Sequence, residues 1–145
     1  MPTALKRSAL AVWKGDLKTG KGQVSTGSGS LKDSPYTFAT RFEDSMGTNP
    51  EELIAAAHAG CFTMAVSSEL GKAGFRPERL ATTATVILEQ LSGSPVITKV
   101  QLELKGRVPG IDAGRFAEIT AGAKANCPVS KVLRAEITLQ AALED

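Results

Sequence analysis

The segment from Thr48 to Leu70 constrains the chain most. Thr48-Asn49-Pro50-Glu51-Glu52 has the parts of a helix start: a capping side chain, a proline in the first turn where its missing N–H is harmless, and carboxylates at the positive end of the dipole. The alanine-rich run behind it has no Gly or Pro until Gly60. Leu53, Ala57, Cys61 and Met64 recur in it at helical spacing, with Gly71 and Gly74 as stop signals. This spacing predicts one long, mostly buried helix.

Strand signals flank it on both sides. Ala9 to Trp13, Gln23 to Ser25 and Tyr36 to Phe42 are short apolar stretches separated by glycine-rich turns at Gly15, Gly20-Lys21-Gly22 and Gly27-Ser28-Gly29, which predicts an N-terminal β-meander. After the helix, Pro77 to Leu91 and Val96 to Val108 carry β-branched and aliphatic residues in period two: Thr83, Thr85 and Ile87, then Ile97, Val100, Leu102 and Leu104. The turn residues Ser92-Gly93-Ser94-Pro95 join them as a second hairpin. Asp112 to Asn126 is predicted helical, Asn126-Cys127-Pro128-Val129-Ser130 breaks it and starts a short helix through Leu133, and Ala135 to Leu143 is a closing strand with Ile137, Leu139 and Ala141 on one face. The order βββ–α–ββ–α–α–β makes the chain α+β. Residues 1–145 are expected to form one domain.

Composition removes several functions. Lys and Arg number 17 against 15 Asp and Glu, a net charge of +2 with no basic block, so a phosphate backbone is not the expected partner. The apolar run Ala55 to Val66 is interrupted by His58 and Thr63 and is shorter than the ~20 residues of a membrane span. Lys6 and Arg7 precede only a short apolar stretch with no small-residue cleavage pattern, so the expected location is the cytoplasm. One histidine and two cysteines, with no CxxC or HxxxH spacing, do not build a closed metal site, and no metal is expected.

The remaining motifs each have a plainer reading. Gly15 to Lys21 fits GxxxxGK, but Gly22 stands where a magnesium-binding hydroxyl should be and no helix is predicted after it, so a hairpin turn explains the glycines better. His58 lies three residues before Cys61, yet side chains at i and i+3 of one helix lean the same way, which favours a structural histidine over a base for that thiol. Cys127 stands at a predicted helix start, where unpaired amides favour a thiolate, and Cys127-Pro128-Val129-Ser130 has the CxxS form of a disulfide exchanger without the preceding βαβ unit. Cys61, mid-helix among alanines, needs a cation to become reactive, and the chain offers Arg41 just ahead of the helix.

Pro35-Tyr36 leading to Thr40-Arg41-Phe42-Glu43, the stretch Gly47 to Phe62 containing NPEEL and Cys61, and Asn126-Cys127-Pro128-Val129-Ser130 together resemble the osmotically inducible protein C and organic hydroperoxide resistance family. The late arginine, in what is expected to be a TRFE strand, resembles the osmotically inducible branch. The resemblance implies an intertwined homodimer with active sites at the interface and no metal or organic cofactor. It also implies a thiol peroxidase that reduces organic hydroperoxides to alcohols and is recycled by a dithiol reductant. By the same resemblance Cys61 is the attacking cysteine, Cys127 the resolving one, Arg41 the activating cation and Glu51 its carboxylate partner. Phe42, Phe62 and Met64 would suit an alkyl or lipid-like hydroperoxide better than hydrogen peroxide, although such residues are more often plain core.

Two other functions compete: a thiol-disulfide exchanger built on Cys127 to Ser130, and a non-catalytic dimeric binding module with inert cysteines. Helix geometry adds one expectation. Glu51 and Cys61 are ten positions apart on one helix, about 15 Å along its axis, so if they serve one centre Glu51 must come from a partner chain. The helices would cross near Ala56, where Ala55-Ala56-Ala57 and Ala59-Gly60 permit close approach.

Overall fold

A computed structural model describes residues 4–145. The chain divides into two compact units, Met1–Leu53 and Ile54–Asp145.

In the first unit, β1 (Ala9–Lys14), β2 (Lys21–Thr26) and β3 (Ser34–Tyr36) form an antiparallel three-stranded sheet with β2 in the centre. The Gly15–Gly20 segment is the β1–β2 turn. Its Asp16 carboxylate accepts from the backbone N–H and the hydroxyl of Thr19, both at 2.7 Å, and these bonds hold the Asp16 carboxyl below its ordinary pKa. A strand follows this turn, as the hairpin reading of the GxxxxGK residues expects.

The third predicted stretch, Tyr36 to Phe42, is not one strand. The chain leaves β3 at Tyr36, and residues Phe38–Phe42 form a short helix, α1, so Arg41 sits on a helical turn rather than on the TRFE strand. The cause is local: the Thr37 side chain accepts from the Thr40 N–H and the Thr40 hydroxyl accepts from the Thr37 N–H, a reciprocal cap that closes the turn.

α2 (Pro50–Lys72) is one unbroken helix of 23 residues. Asn49 caps its start, its Oδ1 accepting from the Glu52 N–H at 2.8 Å. At its end Gly74, at φ +89°, provides the left-handed turn in which Phe75 N–H reaches Leu70 O and Gly74 N–H reaches Gly71 O. By length and composition alone α2 is long and apolar enough to cross a membrane, with mean hydropathy 1.3 over 18 residues. In the fold its stripe His58, Phe62, Val66, Leu70 is buried instead. The expected mostly buried helix is corrected too, because only 22% of that window is buried. Ala56, Ala57, Gly60 and Met64 form an exposed stripe, and Met64 is 76% exposed.

In the second unit, β4 (Arg79–Leu91), β5 (Ser94–Arg107) and β6 (Glu136–Glu144) form a sheet in which β5 is central, antiparallel to β4 and parallel to β6. Ser92 and Gly93, at φ 52° and 82°, make the two-residue hairpin turn. A bulge at Thr98, between Ile87 and Leu88 of the facing strand, accommodates the single three-residue step from Ile97 to Val100 in an otherwise period-two pattern. Val100, Leu102 and Leu104 point into the core and bring Val86, Ala84 and Thr82 to the same face, so the period-two residues Thr83, Thr85 and Ile87 lie on the other face of β4.

Helix α3 (Ala113–Asn126), capped by Asp112 through the Arg115 N–H, adds Phe116, Ile119 and Ala123 to that core. Gly106 makes room for Phe116: a Cβ there would lie 2.8 Å from Phe116 Cζ and 3.1 Å from Leu80 Cδ2. The short helix α4 (Pro128–Val132) follows α3 directly, with Cys127 as the joint between them.

Candidate active site

Two clusters carry the candidate residues, one in each unit. In the first, Asn49 acts at both of its ends. While Oδ1 caps α2, Nδ2 donates to the Thr40 carbonyl at 2.8 Å and so ties α1 to the start of α2. Arg41 is therefore placed opposite Glu51, in the first turn of α2. The guanidinium donates from Nε to Oε1 at 3.0 Å and from Nη2 to Oε2 at 2.9 Å, a fork-to-fork pair that fixes its plane. Glu51 is buried, and the Arg41 side chain keeps 34% of its surface. Its remaining N–H groups make no hydrogen bond among the described residues, which leaves donors for an anionic or peroxidic oxygen. Arg41 also stacks over the Phe42 ring at 5.0 Å. A cavity of about 320 Å³ opens beside it, lined by Trp13, Leu17, Tyr36, Phe38 and Phe42.

In the second cluster, Cys61 on α2 and Cys127 at the α3–α4 joint are both free, their sulfurs 3.0 Å apart. A disulfide requires about 2.05 Å, so the bond needs only a closing of the pair. The joint is held by Cys127 N–H to Ala123 O at 2.9 Å and Lys131 N–H to Cys127 O at 3.1 Å. Pro128 occupies the first position of α4, where no amide hydrogen is needed.

The two thiols have opposite tendencies. Burial pushes the Cys61 thiol up, the contact with Cys127 adds to that, and the Val129 amide only partly offsets them. Burial would also raise Cys127, but its contact with Cys61 and its interactions with Ser130 and Val129 outweigh it and bring Cys127 below the ordinary thiol value. Within one chain, the local acidity therefore favours Cys127, as its position at a helix start suggests.

Of the apolar candidates, Phe42 lines the cavity near Arg41. Phe62 is fully buried in the core, and Met64 is exposed and lines none of that cavity. His58 is buried, with Nε2 2.8 Å from Ser130 Oγ. Asn49 was read from the sequence only as a cap. Its second role depends on Thr40 lying nearby, which spacing does not reveal. No group of three or more His, Cys, Asp or Glu side chains suited to a metal occurs among the described residues.

Comparison with known proteins places these clusters in a family context. The family model for OsmC-like proteins matches residues 42–142. The chain is 54% identical to the peroxiredoxin OsmC of Escherichia coli (strain K12) over 135 residues, 93% of this chain and 94% of the relative. It is 32% identical over 92 residues to an organic hydroperoxide resistance protein of Xanthomonas axonopodis pv. citri, covering 63% of each. Among solved structures, an organic hydroperoxide resistance protein from Elizabethkingia anophelis superposes with a TM-score of 0.74 at 23% identity, covering 99% of this chain and all of the other. An OsmC-like protein from Vibrio cholerae superposes with a TM-score of 0.75 at 18% identity over 95% of this chain and 99% of the other, a likeness of fold. The α+β fold, the matched span and the close relative agree, and the chain belongs to the OsmC-like protein family.

Proposed function

We propose that this protein is a cysteine-based peroxidase that reduces organic hydroperoxides to alcohols, with Cys61 attacking and Cys127 resolving. The observation that carries this reading is the pair of free thiols 3.0 Å apart, a geometry suited to oxidation of one and capture by the other. In the first step the Cys61 thiolate attacks the terminal peroxide oxygen, the O–O bond breaks, and the departing alkoxide takes a proton to become the alcohol. The sulfenic acid left on Cys61 condenses with Cys127, water leaves, and an external dithiol reduces the disulfide. A reducing compartment, the cytoplasm, suits such a cycle.

The electrostatics of a single chain are against Cys61 as a thiolate, so the first step needs a cation. Arg41 is the candidate, held in its plane by Glu51 with N–H donors left for the peroxide. On the unbroken helix α2, Glu51 and Cys61 are separated by about 15 Å along the axis. We therefore assign the Arg41–Glu51 pair that serves each Cys61 to the partner of a homodimer. The exposed stripe Ala56, Ala57, Gly60 supports a crossing of two α2 helices about a twofold axis, since a Cβ on Gly60 would meet nothing in its own chain. In that arrangement the aromatic cavity beside Arg41 takes the organic group of the hydroperoxide, and its lining favours an alkyl or aryl substrate over hydrogen peroxide.

The test is consumption of cumene hydroperoxide under a small dithiol by wild type and by the Cys61→Ser and Cys127→Ser variants. Loss of turnover in Cys61→Ser is expected. Protein-disulfide exchange that needs Cys127 but survives loss of Cys61 would favour the exchanger, and a protein with no peroxide turnover would be a binding module.

A further inference from the structure

His58 and Ser130 have no part in the chemistry described so far. His58 precedes Cys61 by three residues on α2, and Ser130 follows Cys127 by three at the third position of α4. The structure joins the four as two rungs between the helices: Cys61 to Cys127 at 3.0 Å, and His58 Nε2 to Ser130 Oγ at 2.8 Å. The second rung lies one helical turn from the first, on the same pair of elements.

His58 is wholly buried, and its Nδ1 has no hydrogen-bond partner among the described residues. Burial lowers its pKa, which keeps the ring neutral near pH 7 with a single N–H to place. On Nδ1 that hydrogen would be an orphaned buried donor, an arrangement folded proteins avoid more strictly than an unused acceptor. The N–H therefore belongs on Nε2, donating to Ser130 Oγ. The Ser130 hydroxyl proton is then free, and Cys127, three residues earlier at the start of the same short helix, is the thiol whose acidity the Ser130 side chain favours. Of the titratable groups, Cys61 meets Cys127 from α2; α4 presents amide and hydroxyl groups.

We propose that His58 and Ser130 are positioning residues for the resolving step: His58 Nε2–H fixes the Ser130 hydroxyl so that its proton points at Cys127 Sγ and holds that sulfur ready opposite Cys61. This rests on the reading of Cys127 as the resolving cysteine. In that step the Cys127 thiolate supplies the electron pair of the new S–S bond while the S–O bond of the Cys61 sulfenic acid breaks. The Cys127 sulfur is oxidised and the Cys61 sulfur reduced. The hydroxide that leaves takes up one proton, matching the one lost by the Cys127 thiol, and departs as water. Without the clamp the sulfenic acid lasts longer, and a second hydroperoxide converts it to sulfinic acid while itself becoming the alcohol.

The experiment combines two readouts on the intact protein. Reduced protein is mixed rapidly with one equivalent of cumene hydroperoxide across a pH range, and sulfenic acid and disulfide are quantified separately. In Ser130→Ala and His58→Leu the disulfide phase should slow about tenfold, the effect of one lost hydrogen bond to a charged group, with its pH midpoint moved up. Ser130→Thr, which keeps the hydroxyl, should restore both. Because the chain has one histidine, nitrogen NMR of the imidazole reads His58 directly, and the neutral Nε2–H form is expected in the wild type. An Nδ1–H form would overturn the proposal, since Ser130 would then spend its proton on the ring. Unchanged rate and midpoint in folded Ser130→Ala would overturn it as well, and that small change avoids dependence on His58→Leu folding. A wild-type trace without a disulfide phase would refute the resolving role of Cys127, and the proposal with it, before any variant is compared.

Discussion

Arg41 and Glu51 meet through two parallel hydrogen bonds, at 3.0 and 2.9 Å, in the first turn of the helix that carries Cys61 in its middle. A guanidinium so held keeps its orientation whether or not substrate is bound, which is the condition for stabilising charge that develops only during reaction.

Replacing Arg41 by Ala should therefore reduce kcat/KM for cumene hydroperoxide by ~10²-fold or more, and should also lower the thermal midpoint, because it leaves the buried Glu51 carboxylate without its cation. Arg41→Lys should recover only part of the rate, because an ammonium lacks the planar fork that Glu51 grips. Steady-state kinetics with a thermal melt for each variant check this, and near wild-type turnover in folded Arg41→Ala would make Arg41 a structural residue.

Subunit mixing tests the sharing of a site between chains. Inactive Cys61→Ser and Glu51→Ala homodimers, exchanged into heterodimers, should regain one working site, formed by the chain that keeps Cys61 and the chain that keeps Glu51. Verified exchange with no regained activity would count against a shared site.

Gly106→Ala should destabilise the protein by about 1–3 kcal/mol, measured by urea unfolding, because the new methyl would press on Phe116 and Leu80 in a filled core. A stability equal to wild type would mean that α3 can shift away from β5 at no penalty.

His58 gives a pH dependence of stability with a definite sign. Its folded pKa lies below the ordinary value of 6.5, so in the window between the two the unfolded chain binds more protons. Stability is complete above about pH 6.5 and falls as pH drops from there toward the folded pKa. Urea midpoints compared at pH 7 and pH 5 should show a smaller loss in His58→Gln than in wild type.

Much of this architecture is written in local sequence. The start of α2 at Asn49-Pro50-Glu51, the hairpin turn at Ser92-Gly93 and the inward faces of β5 and β6 follow from capping, turn chemistry and alternation. What was missed depends on partners distant in the chain or on competing local signals. The Thr37–Thr40 cap was legible as two threonines three apart, but the apolar texture of residues 36–42 pointed to a strand. On β4, alternation alone left two faces to choose from, and the register with Val100 and Leu102 selects Val86 and Ala84. The exposure of Ala56, Ala57 and Gly60 could not be read from helical spacing, which identifies a small-residue face without saying what covers it. Nor does spacing bring Cys61 to Cys127, or His58 to Ser130, since these contacts form only when α4 folds back onto α2.

Cys61, although the less acidic thiol within one chain, is expected to be the one that peroxide oxidises first. The direct measurement is trapping of sulfenic acid after substoichiometric cumene hydroperoxide, in Cys127→Ser and in Cys61→Ser, with the labelled residue located by mass spectrometry. Rapid labelling of Cys61 in the Cys127→Ser protein is expected, with little labelling of Cys127 in the Cys61→Ser protein. Labelling of Cys127 at an equal or greater rate would contradict this assignment and reverse the two roles.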